Sequence, residues 1–289
     1  MSFFSISLLA CLVIRTLQLL FTVDGATGFI KAEYRPIGIA MMLILFLAVI
    51  VSVIIGISVR RCPLKMPKVS PLLGISSMLM GAAILYEVFS ISVLRNSNIY
   101  QIIALEAFGC FAGIFFIAYG LKAFVKFKIS PVFFVIPVLY WAIKLIYVFT
   151  NISSLALITD NILLCVCYCG VLVFMLEYAM LANKINVERT SRILMASALC
   201  AANLSLVCSL PRFIAIVTGH TEGLHESVSS MVTVLFTGVF IILFMWHYFR
   251  NKNLARHHRK NRNKSNRFMA EGEVVHCDFY MGKQLDANK

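Results

Sequence analysis

The sequence predicts an all-α membrane protein, a polytopic bundle of about eight transmembrane helices with both termini cytoplasmic. Three observations carry that reading. The chain is 60% hydrophobic and 13% charged, with a mean hydropathy of +0.88, whereas soluble domains run near ~45–50% apolar and ~25% charged. The apolar residues gather into runs of about 20, the length that crosses ~30 Å of hydrocarbon as a helix. Those runs do not alternate, and in lipid an unbroken apolar segment satisfies its backbone only as a helix, not as a barrel strand.

Taken in order, residues 3–23 form the first span. No Lys or Arg precedes Arg15, so the positive start of a signal peptide is missing and the run is expected to stay as a helix. Spans follow at 36–59, 71–94, 100–124, 131–150, 160–182, 193–217 and 228–249. Pro36, Pro71 and Pro131 stand at helix starts, where the missing N–H costs nothing, and Ser70 and Ser130 precede two of them as caps. Lys68-Val69-Ser70-Pro71 recurs as Lys128-Ile129-Ser130-Pro131, so spans three–four and five–six are either parallel copies or two loops needing the same cap. Residues 1–250 make the bundle; 251–289 make a basic cytoplasmic tail expected to be largely disordered.

Orientation follows from the cations in short loops. Arg60, Arg61, Lys65 and Lys68 follow the second span, Lys122, Lys126 and Lys128 the fourth, and Lys184, Arg189 and Arg192 the sixth. The alternate loops carry only Lys31, Arg35, Arg95 and, at a helix end, Arg212. The net charge of +13 is therefore mostly topology. Cysteines lie in apolar runs or basic segments, with no extracellular disulfide framework. Cys165, Cys167 and Cys169 are two apart, so on a helix they point to different sides and cannot share a metal ion.

The candidate site is a set of charges inside the membrane. Lys144 lies ~9 Å below the outer end of span five at 1.5 Å per residue; Glu87, Glu106 and Arg15 fall near the same depth on three other spans, and the signs cancel. Asp160 and Arg212 stand just above them, Asp160 also as a helix cap after Thr159. Charged side chains at such depth face protein or water and have partners, unless they snorkel to the interface. Glu106, Gly109, Gly113, Phe116 and Gly120 share one face of span four, and Gly109-x-x-x-Gly113 admits a close neighbour, so Glu106 is the first expected partner of Lys144 and Glu87 the second. Pro137 is expected to kink span five a turn before Trp141. Glu177, near the inner end of span six, is expected to meet cytoplasmic lysines.

In the tail, Arg256, Arg259, Lys260 and Arg262 suit anionic lipid head groups, each cation near the surface contributing ~1 kcal/mol; few aromatics accompany them, which disfavours nucleic acid. His220 and His225 with Glu222 and Glu226 form an outer loop that is only a weak metal candidate, because the spacing is not H-E-x-x-H. No Walker A loop, G-x-S-x-G elbow or H-E-x-x-H occurs, and no cofactor or catalytic residue is expected.

The segments PVLYWAIKLIYVFTN, DNILLCVCYCGVLVFMLEYA and SLPRFIAIVTG resemble stretches of uncharacterised multi-pass membrane proteins of anaerobic spore-forming bacteria, over the C-terminal half. The resemblance implies a bacterial plasma membrane, no known activity, and family-like positions at Pro137, Trp141, Lys144, Asp160, Pro211 and Arg212. The leading functional expectation is a membrane sensor or accessory subunit acting through a protein partner. The alternative is a small-solute transporter with an outward polar cavity; an intramembrane enzyme comes third. The topology is directly testable. Cysteine accessibility is expected to place residues 61–69, 184–191 and 251–289 inside and 95–99 and 218–226 outside, and a reporter at Gly223 that reads cytoplasmic overturns the orientation.

Overall fold

In a computed structural model, residues 2–22, 32–58, 66, 69–91, 99–151, 158–218 and 227–248 are described. All but Tyr248 belong to one compact unit, Met1–His247; Tyr248 opens the second, Tyr248–Lys289. The His220 and His225 loop and the tail cations Arg256, Arg259, Lys260 and Arg262 lie outside the described residues.

Every regular element among these residues is helical. The helices are α1 (Ser2–Leu17, continued by a π-turn over Gln18–Thr22), α2 (Arg35–Ser58), α3 (Pro71–Ile91), α4 (Ile99–Leu121), α5 (Val135–Asn151), α6 (Ile158–Ala182), α7 (Val187–Val217) and α8 (Val228–Tyr248). Seven, α2 to α8, are long and apolar enough to cross a membrane, α5 together with a 3₁₀ turn at Pro131–Phe134; the α1 stretch is shorter. The chain is a multi-pass membrane helix bundle.

Two starts differ from expectation for local reasons. Ser70 caps α3 as expected, its Oγ accepting from the Leu73 N–H at 3.3 Å. Ser130 makes no such bond, and Pro131 instead opens the 3₁₀ turn ahead of α5. That shift corrects Pro137: it lies in the first turn of α5, where its missing N–H interrupts no α-helical bond and no mid-helix kink is needed. The proline truly inside a helix is Pro211 in α7. Helix α7 also begins earlier than the apolar run, because the turn at Lys184 and Asn186, both at positive φ, sets Val187 as its first residue.

Packing follows the small residues. Helices α3 to α7 touch in sequence, α3 on α4 through to α6 on α7, while α1 and α2 pack on α7 and on each other. Helix α8 runs among them. Thr233 Oγ1 donates to the Ala83 carbonyl of α3 at 3.0 Å, Phe240 meets Phe116 of α4, Phe244 meets Phe174 of α6, and Gly238 lies against Ser205 and Leu206 of α7. On α2, Ile39, Leu43, Leu47, Ile50 and Ile54 are exposed, a face whose solvent is lipid. Hydrocarbon gives apolar side chains no reason to leave it for one another, so close backbone approach and hydrogen bonds must hold the helices. Gly81 and Gly113 face each other across α3 and α4, as do Gly74 and Gly120, and Ser77 donates to the Phe116 carbonyl at 2.7 Å.

A Cβ added at Gly81 would sit 2.6 Å from the Gly113 carbonyl oxygen, a rigid backbone atom. Gly81→Ala is therefore expected to lower stability by ~1–3 kcal/mol through overpacking. At Gly170 the nearest atom is 3.6 Å away, ordinary contact, so Gly170→Ala should be neutral or gain up to ~1 kcal/mol of helix propensity. Thermal unfolding of both variants in detergent checks the contrast, and equal destabilisation refutes the seam.

Candidate functional site: a caged ion pair within the membrane

Helix α5 supplies the centre of the site. Tyr140 and Trp141 stand four and three residues before Lys144, so helical geometry puts all three on one face. That face turns inward: Tyr140, Trp141 and Lys144 are each no more than 2% exposed. From α3 comes Glu87, 3% exposed, whose Oε2 accepts from Lys144 Nζ at 2.7 Å and from the Tyr140 hydroxyl at 3.1 Å. From α6 comes Tyr168, whose ring lies 5.0 Å from the ammonium, with Trp141 at 4.9 Å and Tyr140 at 5.8 Å. One carboxylate and three aromatic faces thus surround one ammonium.

The local sequence explains why the parts meet. A Cβ at Gly109 would press on Val88, and would lie 3.2 Å from the Tyr140 ring. The missing side chain leaves room for Tyr140 to reach Glu87 between α3 and α4. Ser230 of α8 ties down the far end of Tyr168, Oγ to hydroxyl at 3.1 Å. Arg212 of α7 is buried as well.

Burying two ions is expensive, and their attraction offsets the loss only with good geometry and further bonds. Here the geometry is short, a second donor shares the carboxylate, and each cation–π contact adds about 0.5–2 kcal/mol. Snorkelling does not describe this lysine, since its ammonium is bonded inside the protein. One group is unmet: Trp141 Nε1 is buried without an acceptor among the described residues.

The other sequence candidates are distributed more widely. Lys144 pairs with Glu87, not with the first-choice Glu106, which stands partly buried on α4. Arg15 is buried on α1 and donates to Gln18 Oε1 at 2.7 Å, and α1 packs on α2 and α7. The Asp160 backbone lies in the first turn of α6; its side chain is outside the description. Glu177 is buried near Thr190 and Arg189 of α7, where cytoplasmic lysines were expected. Cys165, Cys167 and Cys169 are partly buried, buried and exposed, three different directions as the helical spacing requires. Tyr140, Tyr168 and Ser230 were missed; Tyr140 alone had a signal, its position one turn before Lys144.

Among the described residues no three His, Cys, Asp or Glu side chains converge as metal ligands. No family model, characterised protein or solved structure matches the chain. The geometry therefore has to speak for itself.

Lys144→Met removes the ammonium and strands Glu87 in a low-dielectric site, an expected loss of ~3–5 kcal/mol. Pairing it with Glu87→Gln should recover most of that stability, whereas pairing it with Glu106→Gln should not. Thermal unfolding in detergent reads all three, and rescue by Glu106→Gln in place of Glu87→Gln overturns the assigned pair.

Proposed function

We propose that this integral membrane protein is a plasma-membrane sensor or accessory subunit whose bundle state is held by the Lys144–Glu87 pair and passed to a partner through α8 and the tail that follows it. The observation that carries this reading is the enclosure of the pair: two opposite charges, each no more than 3% exposed, joined at 2.7 Å under three rings. A carrier's binding site has to be reached by its solute, whereas a switch needs only two arrangements of a packed element.

Helix α8 is placed to carry the signal. Ser230 holds Tyr168, one wall of the cage. Thr233 bonds the Ala83 carbonyl, one turn from Glu87 on α3. The chain then runs from α8 into RNKNLARHHRKNRNKSNR, a basic run fit for anionic lipid or an acidic partner. Any rearrangement of α3 against α5 therefore loads α8 from two sides.

Trypsin digestion of the tail in everted vesicles tests this. Lys144→Met is expected to change the tail's cleavage rate several-fold, and Lys144→Met with Glu87→Gln to restore stability without restoring the wild-type rate. Identical tail rates in all three proteins overturn the reading. Uptake of a labelled amino acid, sugar or organic cation into proteoliposomes that depends on Lys144 replaces it with the transporter.

A further inference from the structure

At one end of the bundle two short connections lie side by side. Residues 122–130 lead from α4 to the 3₁₀ turn ahead of α5, and residues 183–186 join α6 to α7. Asn183 Nδ2 donates to the Pro131 carbonyl at 3.1 Å and ties the second connection to the end of the first. The longer one begins as a bonded turn, the Phe124 and Val125 N–H groups both donating to the Leu121 carbonyl at 2.9 Å. It is also seated on α3, since a Cβ at Gly74 would lie 2.6 Å from the Ala123 Cβ. What this turn presents outward is apolar. Phe124 and Val125 are each 57% exposed, and Phe127 and Ile185 are exposed beside them. Lys122, Lys126, Lys128 and Lys184 stand exposed between these side chains, with Arg189 and Arg192 exposed on the first two turns of α7. Over residues 122–130 and 183–192 six cations thus meet one acid, Glu188.

We propose that the two connections form one binding surface for anionic phospholipid, the phenyl rings at the acyl boundary and the lysines on head-group phosphates. The α4 span ends at Leu121, so Phe124 lies three residues beyond it, at the membrane boundary whichever way the chain is oriented. Apolar side chains at that level leave water by entering the interface, and cations beside them are drawn to negative head groups. Phosphate oxygens accept charge-assisted bonds from ammonium donors, which a zwitterionic surface supplies with less net attraction. A soluble acidic partner would meet the same cations but would leave Phe124, Val125 and Phe127 unsatisfied beside lipid. The interleaving of rings with charges favours the bilayer.

The test uses the full chain in nanodiscs of equal parts phosphatidylglycerol and phosphatidylcholine, with bromine on the acyl chains of one lipid or the other. The chain has two tryptophans, of which Trp141 is buried and Trp246 exposed. Trp246→Phe with Phe124→Trp therefore places the accessible indole on the proposed surface. Brominated phosphatidylglycerol is expected to quench it about twofold more strongly than brominated phosphatidylcholine, because the surface gathers the anionic lipid. Replacing Lys122, Lys126 and Lys128 with Gln should make the two lipids equal while cooperative thermal unfolding persists. Raising the salt should narrow the difference in the protein that keeps its lysines, a check that needs no lysine variant. Equal quenching with the lysines present, a preference that survives in the folded Gln variant, or a preference indifferent to salt overturns the assignment. Absence of quenching by either lipid, with an emission shift on adding polyglutamate, overturns it in favour of an acidic protein.

Discussion

The Lys144–Glu87 ion pair is the constraint to which much of this bundle answers. Neither charge can be left alone in hydrocarbon, so α3 and α5 must lie at one distance and one rotation. That requirement propagates. Tyr140 can reach the carboxylate only because Gly109 vacates its place, and Gly109 continues the seam that brings α3 against α4. Tyr168 can wall the ammonium only while α6 lies beside α5, and Ser230 of α8 fixes Tyr168 in turn. Five helices, α3 to α6 and α8, are thus tied by one charge neutralisation.

The remaining cohesion is of the kind lipid allows. Serine and threonine hydroxyls across the bundle return to backbone carbonyls, as Ser77 does to Phe116 and Thr233 to Ala83. In helix α7 the buried Ser197 and Ser209 donate to the Leu194 and Ser205 carbonyls of their own helix, and Ser191, Asn203 and Ser205 are buried beside them among alanines. A helix with that composition would be a poor lipid-facing span. It is stable because α1, α2, α6 and α8 surround it and its small side chains let them close in. An aromatic cluster does comparable work around α8, with Phe134 against Phe115 at 5.1 Å and Tyr178 against Phe244 at 5.2 Å.

How much of this could be read from the sequence depends on which physical rule decides each feature. Span positions were legible because hydrocarbon thickness fixes the length of an apolar run, and the ends came within a few residues. The start of α7 was not, since its first turns carry Glu188, Arg189 and Arg192 and only backbone geometry at Asn186 marks the helix. That Lys144 needed a carboxylate was legible from the cost of burying a charge. Which carboxylate was not: Glu87 and Glu106 have similar depth on different helices, and depth says nothing about rotation about a neighbour's axis. The same gap explains Arg15, which stands on a helix that packs against α2 and α7.

Enclosure also narrows what the pair can do. For a solute to reach Glu87, Lys144 would have to leave a carboxylate, three ring faces and the Tyr140 hydroxyl's shared bond, and α5 would have to part from α3 or α6. Helices joined by glycine-to-glycine contact and by a glycine gap filled with an aromatic ring do not part in small steps; they keep one packing or adopt another. A small change in the pair, such as a lost charge on one partner, biases such a choice without any passage through the bundle. Under the proposed switch, the charges would select between two packings, and the two hydroxyls of α8 that touch the cage and α3 would carry that selection out of the site.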